Sequence, residues 1–334
     1  MYVRSDIESK IIIWFCWKHV VFFALYSGLV YFAYHQLNWK FIAIPFLPVG
    51  TIGTAVAFYV GFKNNSSYER LWEGRKIWGA ITNLSRSLGA LLLCDTQAGT
   101  GKLNSVGQVM VRRQIAWCNA LRLQLRATTA DRNSHRVPPE VELVKALYGS
   151  DYPSETLDSY LAQTLPVSDL VRVKGTQNPA LRLLELQLAE IASLPRNSES
   201  TESIREKLLD TVLDCIKEQG SAERLKQFPF PRQYAHFSGA FVWIFLLLLP
   251  FGLVDELAKG TAALDWLVIP FSTVISWMFI TMEQVGDSSE DPFEMGLNDV
   301  PMTAICRNIE IELLQLAGVD TIPEAIQAKQ GVLL

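Results

Sequence analysis

Residues 41–62 read FIAIPFLPVGTIGTAVAFYVGF (Phe41–Phe62), 22 residues without a formal charge. A helix needs roughly 20 mostly apolar residues to cross the hydrocarbon core of a bilayer, so this stretch reads as a membrane span. Working outward, three more apolar blocks stand out: Ile11–Tyr34, Phe237–Val254 and Leu264–Met282. Lys18 and His19 interrupt the first, and their polar heads reach the interface if the crossing starts near Val20. The third and fourth are separated only by the polar stretch Asp255–Ala263. The pattern predicts an all-α membrane protein with four transmembrane helices, arranged as two hairpins at residues 11–62 and 237–282. The opening MYVRSDIESK carries mixed charge and runs into the first block without a small-x-small cleavage signature, so that block is expected to be a retained anchor and not a signal peptide.

Composition agrees with this and removes other classes. Of 334 residues, 49% are hydrophobic, and they are gathered in blocks, as in membrane proteins. A formal net charge of -4 gives no chain-wide basic surface of the kind that neutralises nucleic-acid phosphates, so nucleic acid is not an expected partner. The five cysteines (Cys16, Cys94, Cys118, Cys215, Cys306) are scattered, with no CxxC pair and no histidines at ligand spacing. Free buried or membrane thiols are expected, with neither a disulfide framework nor a metal site. His19, His35, His135 and His236 are isolated, and the sequence holds no P-loop, no Gly-x-Ser-x-Gly and no HExxH. No enzyme and no cofactor are expected.

Between the hairpins, residues 63–236 read as helices, because apolar positions recur at spacings of three and four in Gln114–Arg126 and Ser203–Lys217. Pro138–Pro139 and residues 192–202 carry the loop signals. Lys63, Arg70, Arg75 and Lys76 follow the second span and Arg224, Lys226 and Arg232 precede the third, whereas the hairpin connections hold only Lys40 and Lys259. By the positive-inside bias, residues 63–236, the C-terminal segment 283–334 and both termini face the cytoplasm.

On the second span, Thr54, Phe58 and Phe62 fall on one helical face, while Gly53, Ala57 and Gly61 fall on the adjacent one. Small residues at four-residue spacing let helices approach closely in a bilayer. The small face is therefore expected to pack neighbouring helices, while the bulky face points to an axis, or else to lipid or a bundle core. Around an axis, phenyl rings presenting their electropositive edges favour anions over cations. A constriction of that kind holds no formal charge and selects by dipoles and wetting.

Directly after this span comes FKNNSSYERLWEGRKIWGAITNLSR (Phe62–Arg86); further on lie RRQIAWCNALRLQLR (Arg112–Arg126), FPFPRQYAHF (Phe228–Phe237) and EDPFEMGLNDVPMTAICRNIE (Glu290–Glu310). These four pieces, in this order, resemble the bestrophin family, in which an asparagine-rich turn, a Tyr-Asp/Glu-Arg-Trp-Trp-Glu-like segment and Arg-Lys-x-Trp-Gly follow the pore helix. Leu71 stands where the first of two tryptophans is usual. The resemblance covers nearly the whole chain, 1–334, as one channel domain. It implies a homopentamer in the plasma, or bacterial inner, membrane, surrounded by lipid, passing inorganic ions through one central pore, chloride foremost. Thr54, Phe58 and Phe62 would form the neck and Ile204 a second, cytoplasmic constriction.

In animal members an aspartate run after the fourth span clasps calcium. Here Glu290, Asp291, Asn298 and Asp299 are dispersed among Pro292, Phe293, Met295 and Gly296, and the run is missing. Calcium takes six to eight oxygens, several from carboxylates, so these four residues are expected to be a vestigial clasp, or to cap helices or contact a neighbouring subunit. A monovalent-cation channel of the same fold, helped by the Thr54 hydroxyl dipole, and a non-conducting membrane scaffold or sensor remain the alternatives.

Overall fold

The computed structural model describes residues 1–4, 6, 9–95, 103–132, 139–194, 199–228, 230–259 and 264–334. Among them the α-helices are α1 (Ser9–His35), α2 (Phe46–Asp95), α3 (Ser105–Arg132), α4 (Pro139–Tyr148), α5 (Leu157–Thr164), α6 (Val167–Val173), α7 (Pro179–Ser193), α8 (Glu199–Gln227), α9 (Arg232–Ala258), α10 (Val268–Ser288) and α11 (Met302–Leu316). The described residues contain no β-strand, only isolated bridges at Tyr2–Val332 and Lys329–Val332. Four helices, α1, α2, α9 and α10, are long and apolar enough to cross a membrane. Of the two loop signals, Pro139 opens α4, and in the second residues 192–193 end α7 and 199–202 begin α8, with only Leu194 described outside a helix; Pro138 and residues 195–198 lie outside the described residues.

The second span departs from its sequence reading at both ends. Helix α2 begins at Phe46 and not at Phe41, which sits in a short 3-10 turn, Lys40–Ile42. Pro45 accounts for this, since a proline disfavours helical backbone in the residue before it, while Pro48 falls in the first turn where its missing N–H is not needed. At the other end, the asparagine-rich run Asn64–Ser67 is not a turn. The helix runs through it without a break, 50 residues in all from Phe46 to Asp95. Asn65 contributes locally, its Nδ2 donating to Glu69 Oε1 one turn on at 3.0 Å.

Two compact units divide the chain, and α2 contributes to both: an apolar unit (Arg4–Arg70 and Pro229–Glu290) and a larger unit (Met1–Val3, Leu71–Phe228 and Asp291–Leu334). In the apolar unit, α2 buries one narrow stripe, Val49, Gly53, Val56, Val60, Lys63 and Ser67, at alternating spacings of four and three. Its valines pack with Phe23 of α1 and Val242, Phe245, Leu246 and Leu249 of α9. Ser27 of α1 and Ser272 and Ser276 of α10 are all fully buried, and small side chains of this kind allow helices in a bilayer to approach closely.

In the larger unit, α3 is the central helix. Its segment from Arg113 to Leu123 is buried on all sides, so the polar groups it carries must be satisfied internally. Arg113 forms a bidentate pair with Asp169 of α6, Nε to Oδ2 at 2.7 Å and Nη2 to Oδ1 at 3.0 Å. Gln114 donates to Ser85 of α2 at 3.0 Å and accepts from Gln187 of α7 at 3.0 Å. The Trp117 indole donates to Gln219 of α8 at 2.8 Å. One of the four recognition motifs is thus a set of buried polar staples around which α2, α6, α7 and α8 are fastened.

Candidate functional site

Helix α2 shows the side opposite its buried stripe. Phe58 is 65% exposed and Phe62 72% exposed, and with Thr54, Ala57, Gly61 and Asn65 they line a hollow of about 520 Å3. Within this chain neither ring enters a buried core cluster. The Thr54 hydroxyl donates to the Gly50 carbonyl at 3.0 Å, so its proton is committed to its own helix and only lone pairs face outward. A second hollow, about 650 Å3, opens beside it, between Phe58, Tyr59, Phe62 and Lys63 of α2 and Phe230, Pro231 and Tyr234 at the entry to α9.

The small-residue face does not act as one surface. Gly53 packs tightly, for a β-carbon there would lie 2.6 Å from the Phe245 ring, whereas a β-carbon at Gly61 would meet nothing within 4 Å beyond its own stretch of helix. Ala57 is exposed. The reason is helical drift: positions four apart advance by about 40° beyond a full turn, so Gly53, Ala57 and Gly61 rotate progressively away from α9. The stripe that stays buried alternates four and three and averages 3.6 residues, the period of the α-helix itself, so it keeps one face toward its neighbours.

One constellation in the apolar unit was not read from the sequence. Lys63, counted there only as a basic flank, is buried, and its Nζ contacts Glu283 Oε1 at 2.5 Å and Asp287 Oδ1 at 2.5 Å. Ser238 of α9 donates to the other Glu283 oxygen at 2.9 Å. The one available signal was the i, i+4 pair of acidic residues at the end of the fourth apolar block, 220 residues from its partner.

Ile204 lies on α8, half-buried and packed against the core of the larger unit. Glu290 is buried in the apolar unit, where its backbone oxygen accepts from Arg70 Nε at 2.8 Å. Asp291, Asn298 and Asp299 belong to the larger unit. Asp299 is buried and its Oδ2 accepts from Glu294 N at 2.7 Å and Gly296 N at 2.8 Å. It therefore closes its own loop rather than capping a helix: α11 starts after Pro301 without a side-chain cap. Burial pushes the Asp299 carboxyl up to about 6, against the opposing pull of those two N–H donors. Met295 takes the left-handed conformation at φ 67° to make the turn. Phe293 of the same motif is fully buried, and Pro292 and Phe293 lie so close to Gly74 that a β-carbon there would meet them at 3.2–3.3 Å. Among the described residues no group of three or more His, Cys, Asp or Glu side chains is placed to hold a metal ion. All five cysteines are free; Cys94 is exposed, contrary to expectation, and the other four are buried.

Four long apolar helices and an outward aromatic stripe on the second of them define an all-α, multi-span membrane protein. Residues 3–315 match the family described as Bacterial/Fungal Bestrophin protein, and the chain belongs to that family. It is 31% identical to the voltage-dependent anion channel-forming protein YneE of Escherichia coli strain K12, over 97% of this chain and 91% of that one. A similarly named protein, mll4386 of Mesorhizobium japonicum, is 25% identical over 89% of this chain and 83% of its own. Among solved structures, a bacterial bestrophin homologue from Klebsiella pneumoniae superposes with a TM-score of 0.72 at 25% identity, covering 90% of this chain and 98% of that one.

Proposed function

We propose that this chain is a subunit of a channel that conducts anions passively, chloride foremost, through a central pore formed by five copies. The observation that carries the proposal is the exposure of Phe58 and Phe62, 65% and 72%, on the membrane-spanning part of α2. Large rings left outside the core of their own chain are available to line an axis between copies. Relatives named as anion channel-forming proteins cover nearly the whole chain, which supports conduction rather than catalysis or scaffolding. Thr54, Phe58 and Phe62 then make the neck. With the Thr54 proton engaged to Gly50, the electropositive ring edges are what the neck offers an anion.

In the same reading, Ile204 narrows the pore again within a cytoplasmic region, 63–236, that follows the hairpin 11–62. The second hairpin, 237–282, leads back to a cytoplasmic segment, 283–334, and both termini face the cytoplasm from a bacterial inner membrane. Asp291 and Asn298 contact a neighbouring copy, while Glu290 and Asp299 hold their own loops in place of a calcium clasp. The test is purification in detergent, native mass determination and chloride efflux from proteoliposomes. Five copies per particle and efflux above empty vesicles are expected; a monomer, or a pentamer without efflux, contradicts the proposal.

A further inference from the structure

Lys63 immediately follows the neck residue Phe62. It lies on the buried stripe of α2, its side chain 2% exposed, and the carboxylates it contacts differ sharply: Glu283 is 10% exposed and Asp287 59%. With Ser238 on the second Glu283 oxygen, the three helices α2, α9 and α10 are joined through the Lys63–Glu283 pair. The packing around it is close. A β-carbon at Gly286 of α10 would come within 2.3 Å of Asn64 Oδ1 and 3.6 Å of Lys63 Cε, so the Asn64 and Lys63 side chains of α2 fill the space that this glycine leaves open.

We propose that Lys63 is a positioning residue for the neck. It fixes the rotation of α2 so that Phe58 and Phe62 face away from the core, and it cancels the Glu283 carboxylate at their inner end. The inference rests on the reading of Thr54, Phe58 and Phe62 as that neck. Neighbouring residues on a helix point about 100° apart, so holding Lys63 against α9 and α10 sets the direction of Phe62. A buried charge persists only when it is paired. Without the ammonium, the buried Glu283 carboxylate would be left uncompensated beside the neck, with Asp287 next to it, and a buried charge acts over longer distances than one in bulk solvent. Anions would be repelled and cations admitted.

The test measures reversal potentials in potassium chloride gradients for wild type, Lys63→Arg, Lys63→Met, Glu283→Gln and the double variant Lys63→Met/Glu283→Gln. Lys63→Met is expected to lower the chloride-to-potassium permeability ratio by about threefold or more, and Glu283→Gln to raise it. Lys63→Arg, and the double variant, should stay within about a factor of two of wild type. Shifts of opposite sign are a signature that mere loosening of the fold does not produce. Ratios unmoved by both single changes, or moved the same way by both, overturn the proposal. If Lys63→Met does not assemble, Glu283→Gln decides alone, since a ratio equal to or below wild type overturns the assignment. A wild-type protein that prefers potassium would sink the neck reading itself, whereas chloride preference with unmoved ratios removes Lys63 only.

Discussion

Gly53 of α2 lies directly under the ring of Phe245 on α9, so close that a β-carbon at position 53 would fall 2.6 Å from Cε2 and 2.7 Å from Cζ. This contact decides which side of α2 is core. With Gly53 turned to α9, Thr54, Phe58 and Phe62 are carried to the open side.

Gly53→Ala is therefore expected to destabilise by about 1–3 kcal/mol, the usual cost of overpacking a filled site. Phe245 is buried in the same cluster as Val49 and Val56, so its ring has little room to yield. Thermal unfolding in detergent checks this. The midpoint should fall for Gly53→Ala and recover in Gly53→Ala/Phe245→Leu; an unchanged midpoint in the single variant refutes the close contact.

The Arg113–Asp169 pair, with side chains 8% and 3% exposed, fastens α3 to α6. Arg113→Met leaves a buried carboxylate without its cation and should cost about 3–5 kcal/mol, while Arg113→Met/Asp169→Leu should recover most of the loss. A double variant as unstable as the single one would show that the pair is not what the site requires.

Asp299 supplies a pH dependence whose sign follows from burial. Its folded-state pKa is raised from 3.8 to about 6, so the folded chain holds this proton more tightly than the unfolded chain does. Its contribution is most favourable below about 4 and is lost as pH rises to 6, a change of roughly 3 kcal/mol at 1.36 kcal/mol per unit. Asp299→Asn keeps an oxygen for Glu294 N and Gly296 N without a charge. The stability of wild type relative to this variant should fall between pH 4 and 6; parallel curves would contradict the assignment.

The spans were legible because a bilayer demands long uncharged runs, and Phe41–Phe62 supplies one. What was not legible depends on contacts far apart in sequence. The helical reading of the residues after the span holds, with α2 running through Asn64–Ser67; what local propensity does not show is that Lys63 and Asn64 meet α10 there, 220 residues on. Lys63 resembles any basic flank until Glu283 and Asp287 are beside it. Gly53, Ala57 and Gly61 look equivalent by spacing, yet only Gly53 meets a ring. Likewise Asp299 carries a helix-cap signature, an Asp two residues before Pro301 and close to a helix start, but its Oδ2 turns back to Glu294 and Gly296.

Phe58 is 65% exposed and belongs to no buried cluster, so Phe58→Ala is expected to leave the unfolding midpoint nearly unchanged. Its effect should appear in conduction, as a chloride preference lowered by about twofold or more when the ring edge is removed. Identical permeability ratios in wild type and variant would exclude this ring from selectivity.

The central claim, an anion-selective pore, is tested most directly by the reversal potential of the reconstituted wild-type protein in asymmetric potassium chloride. The account predicts a value near the chloride equilibrium potential. A value near the potassium equilibrium potential would contradict it.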